Sequence, residues 1–419
     1  MKYDWLPRFR RQRDRPLRKL ALWSLGAVLA VQAATVAVLQ VASTVRIRKR
    51  GQGSFPHARP EPVQIGHCQV QLYFFGQDLY DDMLAAIDGA RESVYLETFL
   101  WKGDGLGQRF KEHLIRKANE GVDVHVVYDH FGNLVVPPSF KLFPEPVHAL
   151  GYRAMTRPWH VLDPRHYALE HRKLLVVDGE AAFIGGYNIG SDYATKWRDT
   201  HLRLDGPDAA DLAQHFVTFW NAHAPEVEHI SRHYRRHFDP VINVQGNNAA
   251  QLTFPIRDMY IEAIDTAEAC IRLTSAYFVP DSGLIAALLK ARDRDVEVKI
   301  MVPWVSNHVV TDWLARGYFN ELLRAGVRVF GYQSMLHAKT CTIDGQWSTV
   351  GTANLDRLSA LGNYEINVEL YSEALARQME DQFERDVSHA KELRWQEWER
   401  RPWYAKAGEV ILAPLRNLL

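Results

Sequence analysis

The strongest constraint on how this chain folds is a pattern that it carries twice. HRKLLVVDGEAAFIGGYN begins at His171, and HAKTCTIDGQWSTVGTAN begins at His337, 166 residues later. The first copy places His171, Lys173, Asp178, Gly185 and Asn188 at the same spacing as His337, Lys339, Asp344, Gly351 and Asn354 in the second. Five specified positions in fixed register do not recur by accident, so the chain is a duplicated unit rather than a string of short repeats. The flanks repeat as well. LYDDMLAAIDGARESVYLETFLW from Leu79 matches MYIEAIDTAEACIRLTSAYFV from Met259, each a helical stretch followed by a β-rich run. VDVHVVYD (Val122–Asp129) matches VEVKIMVP (Val296–Pro303) as an alternating strand after a helix, and LGYRAM and AGVRVF supply further short strands. Strand, helix, strand in repeated order predicts a parallel or mixed sheet covered by helices in each half.

The residue types in the repeated pattern point to phosphodiester chemistry. LLVV and TCTI, between lysine and aspartate, read as buried strands, which sets each His and Lys on one face. Bringing the halves together then gathers two imidazoles and two ammonium groups around one pocket. One histidine can attack phosphorus while the other protonates the leaving alkoxide. Lys173 and Lys339 supply positive charge to the phosphodiester oxygens, and Asn188 and Asn354 add neutral donors for the substrate phosphate. Gly185 and Gly351 permit close backbone approach. Asp199 follows His171 by 28 residues and Glu365 follows His337 by 28, so each half holds a carboxylate suited to orienting an imidazole. Asp178 and Asp344 precede a glycine at a strand end and read as turn residues rather than proton carriers. No metal is expected, because two ammonium groups meet the electrostatic need.

Composition narrows the partners. Lysine plus arginine equals aspartate plus glutamate at 50 each, so the chain lacks the basic field of a nucleic-acid binder, and no nucleic acid is expected. The three cysteines, Cys68, Cys270 and Cys341, fit neither a disulfide framework nor a zinc motif. The amino terminus departs from the average. Residues 1–19 hold eight lysines and arginines, Leu20–Val45 holds no charge, and Arg46, Arg48, Lys49 and Arg50 follow. As a helix the uncharged run is roughly 39 Å long, enough to cross a hydrocarbon core about 30 Å thick. Eight basic residues before the span against four after it favour a cytoplasmic amino terminus. In the carboxy-terminal stretch, Trp395, Trp398, Trp403 and Tyr404 suit either a membrane interface or a helix packed on the second half. Glu97 and Tyr277 sit near the ends of corresponding strands, and His166 precedes the first motif; each is a position that can face the pocket or the surface.

The repeated pattern resembles the HKD motif of the phospholipase D superfamily, over roughly residues 63–390. YLETFLW, AFIGGYNIG, AYFVP and TVGTANLDRLSALGNYEINVEL look like bacterial cardiolipin synthases. The resemblance implies an α/β fold: two tandem phospholipase D-like α/β/α domains with pseudo-twofold symmetry, preceded by one N-terminal transmembrane helix. The expected boundaries are a basic segment at 1–19, the span at 20–45, a linker at 46–62, domain 1 at 63–228, an inter-domain linker at 229–250, domain 2 at 251–390 and an amphipathic tail at 391–419. It also implies a catalytic set of His171, Lys173, Asp178, His337, Lys339 and Asp344, a covalent phosphohistidine and no cofactor. By analogy His171 is the nucleophile and His337 the general acid, although nothing in the sequence separates the two. In the implied reaction one phosphatidylglycerol gives its phosphatidyl group to the enzyme and releases glycerol; a second accepts it, forming cardiolipin. The membrane, specifically a bacterial cell membrane crossed once, is the expected location. The commonest synthases carry two amino-terminal spans, and this chain offers one. The rivals are phospholipid hydrolysis, with water as acceptor; a nuclease, against which the zero net charge argues; and a non-catalytic tethered binding protein, which would have lost a histidine or lysine from one copy.

Overall fold

The computed structural model describes residues 55–156, 163–235, 237–304, 306 and 308–414, with helical positions at 23, 30–32, 34–38 and 41. The first half forms a sheet of eight strands: β1 (Val63–Ile65), β2 (Cys68–Tyr73), β3 (Ser93–Thr98), β4 (Asp123–Asp129), β5 (His148–Tyr152), β6 (Leu174–Val177), β7 (Ala181–Gly185) and β8 (His201–Asp205). Their spatial order is β1-β2-β8-β7-β6-β3-β4-β5. The second half repeats the seven strands β2–β8 as β9 (Ile242–Asn247), β10 (Cys270–Ser275), β11 (Glu297–Pro303), β12 (Arg328–Tyr332), β13 (Lys339–Ile343), β14 (Trp347–Gly351) and β15 (Glu365–Tyr371), and adds β16 (Ala390–Leu393) at the opposite edge from β1. Here the order is β9-β15-β14-β13-β10-β11-β12-β16. Both sheets are mixed. β3, β4 and β5 run parallel, as do β10, β11 and β12, while the motif-bearing β6 and β13 pair antiparallel with β3 and β10.

Apolar side chains on both faces of the central strands explain the helical layers. Along β6, Leu174 and Val176 join one core while Leu175 and Val177 join the other, as a two-residue period requires. Helices α1 (Gly76–Gly89) and α2 (Gly105–Asn119) cover the second of these faces through Tyr80, Met83, Phe110 and Leu114. Helix α3 (Ala209–His223) covers the first through Leu212, Phe216 and Trp220. In the second half, α4 (Pro255–Thr266), α5 (Ser282–Asp293) and α6 (Val309–Arg324) cover one face, and α7 (Glu373–Ser388) covers the other. The halves share a core. Val350, Ile366, Val368 and Leu370 of the second sheet pack in the same cluster as Leu174, Val176, Leu202 and Leu204 of the first.

One expectation is corrected, one resolves to one of its two alternatives, and one lies largely outside the described residues. The segment read as a solvated linker at 229–250 is tied down and contains a strand. Arg232 pairs with Glu92 at 2.9 Å, Tyr234 packs edge-on to Tyr95, and Ile242–Asn247 is the edge of the second sheet. The carboxy-terminal stretch packs on domain 2: Trp398 is buried against Phe319, and Leu412 at the end of α8 (Trp403–Leu412) is buried with Leu314 and Val279. The span at 20–45 lies largely outside the described residues, and no helix of the described residues is long and apolar enough to cross a membrane.

Candidate active site

Backbone pairing across the halves builds the site. The segment leading into β6 runs beside the segment leading into β15, with Glu170 bridged to Tyr364; His171 N–H donates to Tyr364 O at 3.1 Å. In the mirrored position Met335–Leu336 pairs with Trp197–Arg198, and His337 N–H donates to Arg198 O at 2.8 Å. Each histidine therefore sits beside the residue that precedes the other half's carboxylate.

The carboxylates are exchanged as a result. His171 Nδ1 lies 2.9 and 3.0 Å from the two oxygens of Glu365, and His337 Nδ1 lies 2.6 Å from Asp199 Oδ2. Neither acid serves the histidine that it follows by 28 residues. Glu365 also accepts from Thr352 Oγ1 at 2.6 Å and Ser359 Oγ at 2.8 Å, and Asp199 accepts from Thr200 N–H at 2.8 Å. With Nδ1 engaged by a carboxylate, Nε2 of each ring is the nitrogen left for chemistry.

Burial governs the electrostatics. His171, Lys173, His337, Lys339, Asp199 and Glu365 are all buried. Burial pushes His337 down to about 3, with Lys339 adding to the fall, and lowers His171 despite the attraction of Glu365. Burial also lowers Lys173 to about 7 and Lys339 to about 8, against the pull of Glu365 and Asp199. It raises both acids, but Lys339 with His337 outweighs this at Asp199, and His171 with Lys173 at Glu365, so both lie below the usual range. The positive charge expected of the lysines is thus conditional, poised near neutrality by desolvation. The groups also feel one another across the halves: Lys339 acts on His171 and Lys173 acts on His337.

The remaining sequence candidates divide. Lys173 Nζ donates to His171 O at 2.5 Å, and Lys339 Nζ donates to His337 O and lies 2.9 Å from His337 Nδ1. Asn188 Oδ1 accepts from Leu100 N–H at 3.1 Å, and Asn354 Oδ1 is buried with no partner among the described residues. Asp178 and Asp344 stand at the far ends of β6 and β13, roughly 16 Å from the His-x-Lys end at about 3.3 Å per residue. Each has left-handed backbone, φ 55° and 53°, and each carboxylate accepts three backbone N–H groups, from Arg91, Glu92 and Ser93 or from Glu268, Ala269 and Cys270. Their place in the catalytic set, implied by the resemblance, is therefore corrected: they are hairpin residues, and the turn reading is the one that their contacts support. Gly351 faces Asn367, whose Cα an added Cβ would meet at 2.5 Å, so its close approach is to the neighbouring strand. Glu97 does not face the pocket. It is buried against Arg172 at 2.8 Å, and Glu170 shares that guanidinium. His166 is half-buried near Asp163.

Tyr277 does reach the site, its ring centroid 6.1 Å from His337 and 5.0 Å from His308. Phe99 meets His171 edge-on at 4.8 Å, and Trp197 meets His337 at 5.4 Å. Phe99, Trp197 and His308 were not picked out from sequence, because single ring residues carry no spacing; only the YLETFLW run gave a hint of the first. Two groups have metal-ligand spacing among the described residues, Asp123-His125-His148 and Asp208-His237-Asp239, and neither contains a motif histidine.

A duplicated α/β/α unit whose two histidines are each oriented by the other half's carboxylate defines a class: two-motif enzymes of the phospholipase D superfamily. The family model for the cardiolipin synthase phospholipase D-like domain matches residues 83–220 and 260–387. The major cardiolipin synthase of Bacillus subtilis is 31% identical over 370 residues, covering 84% of this chain and 75% of that protein. Cardiolipin synthase 1 of Staphylococcus aureus strain COL is 33% identical over 360 residues, covering 82% and 72%. The crystal structure of phosphatidylserine synthase from Haemophilus influenzae shares the fold, with TM-score 0.63 and 15% identity over 90% of this chain and 98% of that one. The chain belongs to the cardiolipin synthase family of phospholipase D-like enzymes.

Proposed function

We propose that the chain makes cardiolipin from two molecules of phosphatidylglycerol through a phosphohistidine. The exchange of carboxylates across the halves carries this reading, because it presents two Nε2 atoms, with two lysines, to one phosphodiester. His171 Nε2 attacks phosphorus; the bond from phosphorus to the glycerol oxygen breaks, and that oxygen takes a proton from His337. In the second step a hydroxyl of the other phosphatidylglycerol attacks phosphorus, His337 takes its proton, and the bond to His171 breaks. Two lysines face two carboxylates at this site. A bound phosphodiester adds one negative charge, which raises the affinity of His337 for the proton that the first step requires. Lys173, Lys339, Asn188 and Asn354 would hold the nonbridging oxygens.

The uncharged run Leu20–Val45 is read as a single membrane anchor. Retention in the membrane fraction after an alkaline carbonate wash tests it, and release of the chain removes the anchor. For the reaction, the detergent-purified protein is given labelled phosphatidylglycerol alone and the products are identified by mass spectrometry. Cardiolipin and free glycerol, absent with His171→Ala and with His337→Ala, support the transfer. Phosphatidic acid in their place would make water the acceptor.

A further inference from the structure

Residues 130–144, HFGNLVVPPSFKLFP, contain no acidic side chain. They follow β4 directly, at the edge of the catalytic pocket, and the chain sorts their apolar side chains to two sides. Asn133 is buried and fixes the base: its Oδ1 accepts from Trp101 N–H at 2.8 Å, and its Nδ2 donates to Phe99 O and Asp129 O at 2.8 and 2.7 Å. Asp129 Oδ1 accepts from Gly132 N–H at 2.8 Å. Val136 is buried, and Phe140 and Phe143 pack on Trp101. The largely buried Lys111 donates to Phe140 O and Leu142 O at 2.6 and 2.5 Å. Against this pinned base, Phe131, Leu134, Val135 and Leu142 project into solvent, 63%, 61%, 89% and 71% exposed. Phe99, to which the base is bonded, is the ring against His171.

A loop with a hydrogen-bonded base and four large exposed apolar side chains beside a substrate site marks an interaction surface, since a chain covering only itself would turn such residues inward. We propose that residues 130–144 insert into the acyl region of a phospholipid bilayer and seat the active-site mouth on it. This rests on the transferase reading for the occupant, because a phosphatidyl substrate keeps its phosphodiester at headgroup depth with acyl chains just below. The charge agrees: the loop lacks acids, and Lys141, His130 and the exposed Arg153 lie about it, suiting an anionic surface.

The test uses the full chain in vesicles of phosphatidylglycerol and phosphatidylcholine. A polarity-sensitive dye is placed on Val135→Cys in a Cys270→Ser background, the other two cysteines being buried. Blue-shifted emission, quenched by brominated acyl chains, is expected. Emission characteristic of water in the presence of vesicles would overturn the proposal. So would a blue shift that appears without lipid and grows with protein concentration, since the cover would then be a second copy. This readout needs no turnover, so failure of the transferase reading leaves it standing. Separately, Phe131→Ser/Leu134→Ser/Val135→Ser is expected to cut turnover of bilayer phosphatidylglycerol by roughly tenfold or more. Turnover of dissolved dihexanoyl phosphatidylglycerol should stay near that of the parent. Equal loss on both substrates, or on neither, would count against a docking role.

Discussion

Asp199 and Glu365 are bonded to imidazoles that belong to the opposite half, and that decides what their loss does. Asp199→Asn should disturb His337, and Glu365→Gln should disturb His171, each lowering kcat by about 10²–10⁴ with the circular dichroism spectrum unchanged. If His171 is the nucleophile, Glu365→Gln slows formation of acid-quenched phosphohistidine; unaltered kinetics in both variants would remove the orienting role. Lysine burial sets the pH response. Lys173 at about 7 and Lys339 at about 8 lose their protons as pH rises, so kcat/KM should fall between pH 7 and 9. The acid limb lies below the ordinary histidine value, because burial lowers His171, the ring that must be neutral to attack. Stability moves the opposite way. These lysines bind fewer protons folded than unfolded between about 7 and their ordinary 10.5, so their burial destabilises less as pH climbs through that window. A pH series of kcat/KM beside thermal melts checks both signs. Turnover should also survive excess chelator, since lysines bear the charge; loss restored by a divalent ion would contradict this. Spacing alone revealed the histidines, lysines and carboxylates. It did not reveal which acid serves which ring, because the bridge from Glu170 to Tyr364 brings together residues 194 apart in the chain.

Hairpins β6–β7 and β13–β14 explain why a motif aspartate so far from the pocket belongs to the pattern. Asp178-Gly179 and Asp344-Gly345 all have positive φ, as the central pair of a type I′ turn requires, and each carboxylate ties the hairpin to the start of the neighbouring strand. Asp178→Ala or Asp344→Ala should cost about 2–4 kcal/mol in denaturant unfolding, while the folded fraction keeps its kcat. A selective loss of kcat at full stability would return these residues to the chemistry. The central strands were readable because LLVV, VDVHVV and VEVKIMV combine β-branched residues with burial on both faces. The edges were not. β9 lies in a polar stretch, INVQGN, whose pairing with β15 and not its own pattern makes it a strand, and β1 and β16 are too short to show a period.

The two halves should unfold as one body. One core cluster draws side chains from both sheets, and the buried pair Arg198–Asp386, at 2.8 Å, joins the segment before Asp199 to α7. Calorimetry should give a single transition for the catalytic body, where independent domains would give two. Arg198→Met should lower stability by about 3–5 kcal/mol by leaving Asp386 buried without its cation. Pseudo-twofold organisation was plain from the repeated motif, whereas the shared core was hidden, because contacts between halves leave no local signature.

Duplication ordinarily creates a spare, and a spare is free to decay. The exchanged carboxylates leave this chain none. A lesion in either copy loosens an imidazole in the other, so neither can retire into a scaffold while its twin carries on the work. The same geometry means that fragments separated within 229–250 could act only after finding each other again, and a hybrid built from two relatives would work only where each half's acid still fits the other's ring.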